Sequence, residues 1–220
     1  MKSDTRLKKE NAIMGAAEKV FASVGFKNAR MEDIAKLADI TKVTLYSYFQ
    51  SKENLYMALT HRALVKLKQR YDLILENSSK ENGLESVISL FEGFMDFCEE
   101  NFLYSELMLE YFSLIRSTSH DDSHQKLTDA IKNSPFFAEL KEIHNYPFKV
   151  CASEIARGVK DGSIKSDCDP MFHTLHGWTV VIGYAKILAA SGDIANPLFK
   201  VNLKDLKNFN LKMTREILAH

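Results

Sequence analysis

Glycine and proline are scarce in this chain, at nine and four in 220 residues. A turn-rich all-β fold needs many more such breakers, so their scarcity points to long helices. Cysteine is scarcer still. Cys98, Cys151 and Cys168 are an odd number without a CxxC pair. That pattern argues against a disulfide framework or a zinc knuckle and for free thiols in a reducing compartment. No stretch reaches the ~18 uncharged apolar residues of a membrane-spanning helix. The N-terminal MKSDTRLKKENAIMGAAEKV has neither the apolar run nor the cleavage site of a secretory leader. The expectation is a soluble, cytoplasmic protein with no membrane partner. Net charge is also missing, since 29 Lys and Arg balance 29 Asp and Glu. What is present is apolar: 45% of residues are hydrophobic and 26% charged. Those fractions supply an ordinary core and exclude disorder along the whole chain.

The zero sum conceals an asymmetry. Residues 1–60 hold ten Lys and Arg against seven Asp and Glu, about +3, which leaves about −3 for the rest. A basic first quarter on an acidic body suits an anion-seeking module joined to something else, although so small an excess also fits a solvated surface.

The first periodic stripe is Ile13, Ala16, Ala17, Val20, Phe21 and Val24, the i, i+3, i+4, i+7 pattern of an amphipathic helix. Gly25 ends it, because glycine takes the left-handed conformation with which helices stop. A short helix follows at Met31–Ala38, with Glu32 and Asp33 in the first turn, where the helix dipole favours carboxylates. Asp39-Ile40-Thr41 separates it from a third segment, Lys42–Ser47, for which Thr41 is the N-cap. Two short helices across a three-residue turn, packed on a longer one, form a helix-turn-helix. The third helix then presents Lys42, Thr44, Tyr46 and Ser47 outward, donors suited to phosphates and base edges. Phe49 returns to the core, and Ser51 caps a fourth helix whose first residue is Lys52. The basic tail at Lys2, Arg6, Lys8 and Lys9 reads either as a minor-groove arm or as a solvated tail.

Over residues 13–59 the order of features is IMGAAEKVFASVGF, then MEDIAKLADITKVTLYSYF, then QSKENLY. It resembles the DNA-binding domain of TetR-family transcriptional regulators. The resemblance implies a homodimer whose N-terminal domains bind a palindromic double-stranded DNA operator. It also implies a helical C-terminal domain that takes a small-molecule effector and releases the DNA, usually relieving repression. Carried over residue by residue, Lys42, Thr44, Tyr46 and Tyr48 match DNA-touching positions of the recognition helix, and Lys52 matches a phosphate-holding lysine. Thr41 and Ser47 join them as flanking hydroxyls. Three departures stand out. Ala29-Arg30 replaces the paired hydroxyl residues that often open the second helix, and Arg30 offers a charge-assisted contact instead. Asp39 replaces the turn glycine and tolerates positive φ better than most residues. Val43 replaces a small residue and narrows which bases fit.

From Leu55 the pattern stays helical, with no β alternation anywhere. The chain reads as all-α, about nine or ten helices. Residues 1–54 form the helix-turn-helix domain and 55–220 a helical ligand-binding and dimerisation domain. Phe136–Asn145 and Phe148–Gly162 are helical pieces, either separate or one helix kinked at Pro147. Candidate effector-lining residues are Phe94, Met95, Cys98, Tyr104, Met108, Tyr111, Phe112, Tyr146 and Trp178, an aromatic and sulfur-rich set that equally suits ordinary core. The last two helices carry apolar faces for pairing with a second copy. One is Trp178, Val181, Ile182, Ala185, Leu188 and Ala189, with Gly177 and Gly183 permitting close approach. The other is Leu203, Leu206, Phe209, Met213, Ile217 and Leu218. A two-fold pairing would set two recognition helices about one DNA turn (~34 Å) or more apart.

Catalysis and metal chemistry find little support. No nucleophile–base pair, Gly-rich phosphate loop or H-E-x-x-H occurs. His173 and His176 share a helix face and, with Asp169 or Cys168, compose a possible metal set, but a polar seam explains them as well. His120, Asp121, Asp122 and His124 read as a solvated charge run. No catalytic residue, metal or cofactor is therefore expected. The competing reading is a helical interaction protein with a degenerate helix-turn-helix that no longer binds DNA.

Overall fold

Helix α1 (Asp4–Asn28) is interrupted at Gly25, whose φ of 73° and ψ of 162° only glycine adopts without strain. In this computed structural model the described residues are 4–118, 129–165, 169–191 and 200–220. They are helical throughout, with no strand among them: α2 (Met31–Leu37), α3 (Lys42–Tyr48), α4 (Lys52–Asn77), α5 (Gly83–Glu100), α6 (Phe102–Thr118), α7 (Asp129–Lys132), α8 (Pro135–Ile143), α9 (Tyr146–Asp161), α10 (Pro170–Ser191) and α11 (Leu203–Ala219). The all-α expectation holds. Cys168 and the His120–His124 charge run lie outside the described residues.

The chain forms two compact units. One is Met1–Leu64 with Glu106–Ile143, and the other is Val65–Ser105 with His144–His220. The division therefore does not follow a cut at residue 54. It falls inside α4 and inside α6, because residues of α6 and α8 pack with the helix-turn-helix segment and the start of α4. Tyr56 donates to the Glu110 carboxylate at 2.8 Å, the Phe49 ring stacks on Phe136 at 6.4 Å, and His61 lies 3.5 Å from Glu139.

The first unit is built around Ile13, Ala17, Phe21, Ile34, Leu45, Phe49 and Leu55, all essentially inaccessible. Fully burying such side chains stabilises by about 1.5–3 kcal/mol each. Phe49 sits in this core as its spacing predicts. Ala35 faces inward and is small enough for α1, α2 and α3 to pack closely.

The second unit packs α5 against α9, α10 and α11. Gly83 opens α5 directly against α9, where a Cβ would stand 2.1 Å from the Gly158 nitrogen. The α5 N-terminus is satisfied from that same corner: Gly83 N–H donates to Asp161 at 2.8 Å and Leu84 N–H to Ser163 at 3.1 Å. The pieces around Pro147 are separate helices, α8 ending at Ile143 and α9 beginning at Tyr146 with Pro147 in its first turn. A proline there costs nothing, since its missing N–H has no partner to lose.

The expected pairing faces are partly consumed inside the unit. Trp178, Val181, Ala185 and Leu188 of α10 are buried, and a Cβ on Gly177 would meet the Phe91 ring at 2.1 Å. Gly177 therefore serves an internal contact. The apolar residues that α10 leaves exposed are Met171, Phe172, Leu175 and Ile187. On α11, Leu203 and Leu218 are buried, whereas Phe209, Met213 and Ile217 form an exposed stripe.

Candidate nucleic-acid interface

The site is assembled by local capping. Thr41 closes the N-terminus of α3, its hydroxyl accepting from Thr44 N–H at 3.1 Å and pairing with the Thr44 hydroxyl at 2.9 Å. Ser47 turns its hydroxyl back onto the Thr44 carbonyl at 2.7 Å. These three hydroxyls fix the helix and keep lone pairs free for an incoming donor or bridging water. The turn before them depends on Asp39, which takes φ 53°. Its N–H reaches the Lys36 carbonyl at 3.2 Å, and Ile40 N–H reaches that of Ala35 at 3.0 Å. An aspartate in the left-handed region replaces the expected glycine at a cost of about 1–2 kcal/mol.

Leu45 is the buried anchor of α3, with no exposed surface; Thr44 and Tyr48 are half-buried, and Lys42, Val43, Tyr46 and Ser47 are turned outward. Val43 is 81% exposed, more than any other large hydrophobic side chain described, and Tyr46 is 39% exposed. Lys42 forms an ion pair with Glu32 of α2 and sits 5.8 Å from the centroid of the Tyr46 ring. The contact with Glu32 lowers the glutamate's pKa and raises that of Lys42, chiefly through the hydrogen bond between them. Tyr48 is half-buried beneath the Arg6 guanidinium, 5.3 Å from its ring centroid. Arg30 is exposed at the N-cap position of α2 and makes no side-chain cap bond there.

Lys52 has a different environment from the rest. Its ammonium donates to the carbonyls of Phe26 at 2.8 Å, Lys27 at 3.2 Å and Ala29 at 3.0 Å. It also lies 4.6 Å from the Phe26 ring centroid. An ammonium has three donors, and all three are occupied. Its expected phosphate contact is thus at odds with the geometry. Thr41, Lys42, Thr44, Tyr46 and Ser47 share one outward-facing helix, while Lys52 points back into the protein. Sequence reasoning missed Glu32 as the partner of Lys42 and Arg6 as the partner of Tyr48. Neither spacing, ten residues in one case and forty-two in the other, corresponds to a helical face.

The nine residues nominated for an effector divide between the units. Met108, Tyr111 and Phe112 belong to the first, with Tyr111 buried and tilted against Phe112. Phe94, Met95, Cys98, Tyr104, Tyr146 and Trp178 belong to the second. There Trp178 is enclosed by Phe94, edge-on at 4.9 Å, and by Phe148, stacked at 4.3 Å. Cys98 has no exposed surface, and burial pushes its thiol up to about 12. Tyr104 stacks on Phe97 and lies beneath Lys66, with 4.7 Å between the ammonium and its ring centroid. Tyr146 instead donates to Asp72 on the surface, with Lys68 over its ring. Phe94, Met95, Cys98 and Trp178 are core in this state, and Tyr146 is a surface clasp.

His173 is buried and its pKa lowered, first by burial and then by His176 beside it. No group of three or more His, Cys, Asp or Glu positioned to hold a metal occurs among the described residues. No described helix is long and apolar enough to cross a membrane.

The arrangement of α1–α3 is that of a helix-turn-helix protein with an exposed recognition helix. Residues 13–59 match the family model for bacterial regulatory proteins of the tetR family. Among relatives, the chain is 27% identical over 162 residues to the uncharacterized HTH-type transcriptional regulator YhgD of Bacillus subtilis, covering 74% of each chain. Among solved structures it is similar to the transcriptional regulator FadR from Bacillus subtilis in complex with stearoyl-CoA. That match has a TM-score of 0.67 at 16% identity and covers 94% and 98% of the two chains. It is similar also to AibR in complex with isovaleryl coenzyme A and operator DNA, with a TM-score of 0.66 at 16% identity over 93% and 97%. Residues 13–59 thus carry a helix-turn-helix of the tetR type, and the chain as a whole is similar to HTH-type transcriptional regulators.

Proposed function

We propose that this protein is a dimeric, ligand-responsive repressor that binds a palindromic DNA operator and is released by a small, mostly apolar or aromatic effector. The observation that carries the DNA-reading half is the outward face of α3, where Lys42, Val43 and Tyr46 stand exposed on a helix anchored chiefly through Leu45. An exposed valine and tyrosine beside a lysine have no packing purpose in the protomer. They suit a groove in which apolar contact, hydrogen bonding and phosphate attraction are all available. The contact set is Arg30, Thr41, Lys42, Thr44, Tyr46, Ser47 and Tyr48, with Lys52 acting otherwise.

Pairing through the last two helices is supported by the stripe Phe209, Met213 and Ile217 together with Phe172, Leu175 and Ile187, all exposed. These replace Trp178, Val181, Ala185 and Leu188 as the pairing residues. An effector acts by favouring a dimer shape whose heads no longer match the half-sites. A coupling of ~1–3 kcal/mol loosens binding by roughly 5–150-fold. Helix α4, with Lys52–Leu64 in one unit and Val65–Asn77 in the other, is the covalent path for that coupling. The likeness to regulators solved with stearoyl-CoA and isovaleryl coenzyme A makes thioesters of coenzyme A the first compounds to screen.

The test is fluorescence anisotropy of the full chain on DNA from upstream of its own gene, at two salt concentrations. Nanomolar, sequence-selective binding that weakens with salt is expected, because displaced counterions make phosphate-reading affinity fall with log[salt]. If that fragment binds weakly, selection from a random DNA pool follows. Failure to enrich any sequence would establish the competing reading, a helical interaction protein whose helix-turn-helix has lost DNA.

A further inference from the structure

We propose that Lys52 is a positioning residue: it ties the start of α4 to the end of α1 and the entry to α2, and supports DNA reading without touching a phosphate. The inference rests on the DNA-binding reading above for its functional half and on geometry alone for its structural half. As the first residue of α4, Lys52 stands at the positive end of that helix's dipole, where a cation is disfavoured. An opposing attraction has to hold it there. The carbonyls of Phe26, Lys27 and Ala29 supply it, since they belong to the chain leaving α1, where backbone oxygens lack helical N–H partners.

The Phe26 ring completes the cradle at 4.6 Å, and it is itself fixed edge-on between Phe21, 5.6 Å away, and Tyr56, 4.8 Å away. Phe21 lies in α1 and Tyr56 in α4, so the ammonium and the ring close the same seam. That seam follows Gly25, the position where α1 is interrupted, and ends at Met31, where α2 begins. Three residues, Asn28 to Arg30, thus decide where α2 starts and, through the Asp39 turn, where α3 is aimed. The backbone adds its own tie across this stretch, from Ala29 N–H to the Gly25 carbonyl at 3.1 Å. A compact ammonium with three divergent N–H groups fits three converging carbonyls. A planar guanidinium does not.

That difference in shape makes the test. Lys52→Arg keeps the charge and would serve a phosphate as well as lysine does. Lys52→Met removes it. Operator affinity and its salt dependence are measured for both variants and the wild type, together with hydrogen exchange in the absence of DNA. The expected result is a several-fold loss of affinity in both variants. The slope of log K against log[salt] stays at the wild-type value, and exchange is faster across residues 26–34. A slope shallower by about 0.9 in Lys52→Met, with wild-type affinity in Lys52→Arg, would overturn the proposal in favour of a phosphate contact. Should the wild type bind no DNA sequence, the DNA reading falls on its own. The clamp is then decided by exchange: faster across residues 26–34 in Lys52→Arg sustains it, and unchanged exchange in both variants refutes it.

Discussion

The recognition helix of the first unit and the α5–α10–α11 cluster of the second use their polar side chains in opposite ways. In the first, the hydroxyls of Thr41, Thr44 and Ser47 bond within a few residues of themselves, and the recognition helix keeps Val43 and Tyr46 in the open. In the second, polar groups reach across the sequence and are drawn inward. Tyr184 of α10 donates to Glu99 of α5, and Lys207 of α11 bridges Asp96 at 2.6 Å and Glu99 at 3.2 Å with only 11% of its side chain exposed. Arg215 adds a forked contact to Glu85 across 130 residues. The recognition helix spends its polar chemistry on presenting a surface, the α5–α10–α11 cluster on fixing helices to one another. A surface for binding survives the loss of a partner; a part-buried network does not, because removing one member strands the others.

The largest way to break this contrast is to attack the second unit at its tightest joint. Gly83→Ala places a methyl 2.1 Å from the Gly158 nitrogen and 2.3 Å from its Cα, both backbone atoms that no side-chain rotation can move. Overpacking of this kind costs about 3 kcal/mol. Urea unfolding followed by fluorescence of the single tryptophan, Trp178, reports this unit directly. A midpoint equal to that of the wild type would show that α5 and α9 are not held this closely.

The mirror-image attack falls on the first unit's surface. Lys42→Ala combined with Tyr46→Ala removes the cation and the aromatic from the exposed face of α3, which buries neither of them. Operator affinity should fall by more than about 100-fold, at or above the upper end of the 1–3 kcal/mol of one good base contact. The urea midpoint and the sedimentation coefficient should stay at wild-type values. Unchanged affinity on the wild-type operator would remove α3 from the interface.

The same contrast explains which features are legible in the chain alone. Asp39 and the Thr41 cap are local signals, acting over one to three residues, and each stands where its spacing put it; Gly25 takes a positive φ as expected, but with ψ 162° it interrupts α1, which runs on to Asn28. Phe49 and Leu45 follow from the period of 3.6. The pairing of Lys42 with Glu32, the carbonyl cradle of Lys52 and the division inside α4 and α6 depend on contacts between segments far apart in sequence. No periodicity encodes those. The effector candidates carry a related ambiguity. An aromatic and sulfur-rich stripe marks apolar burial, and Phe94, Cys98 and Trp178 meet that requirement by packing on their own neighbours. On α10 the hydrophobic residues run nearly all round the helix, so periodicity does not separate the face that is buried internally from the one left open.

A smaller change sharpens the picture of the DNA-reading surface. Glu32 holds Lys42 in the free protein, and both side chains are more than half exposed. A phosphate must displace Glu32 to take the lysine. Glu32→Gln removes that competitor and a negative charge beside the groove, so affinity should rise by about 3-fold, with a salt slope steeper by up to about 0.9 as one more phosphate is neutralised. In a Lys42→Ala background most of that gain should disappear. A fall in affinity would mean that Glu32 orients Lys42 productively.

The smallest effect is one of pH, confined to the second unit. Burial, helped by His176, lowers the His173 pKa below 6.5, so the unfolded chain takes up this proton more readily than the folded one. Its contribution is fully favourable above the unfolded value and is lost as pH falls through 6.5 toward the lowered folded value. The carboxylates of Glu85 and Asp161, whose pKa values are lowered by Arg215 and by Ser163 with the Gly83 amide, add their own losses only in the acid range below the ordinary carboxylate values. Between about pH 7.5 and 5.5 the histidine is thus separable from them. Melting followed by Trp178 fluorescence should fall with acid over that window by an extra amount on the order of 2 °C, and His173→Gln should flatten the curve. A steeper fall in the variant would mean that protonated His173 is better satisfied in the folded unit than in water, and that its burial is not what sets its titration.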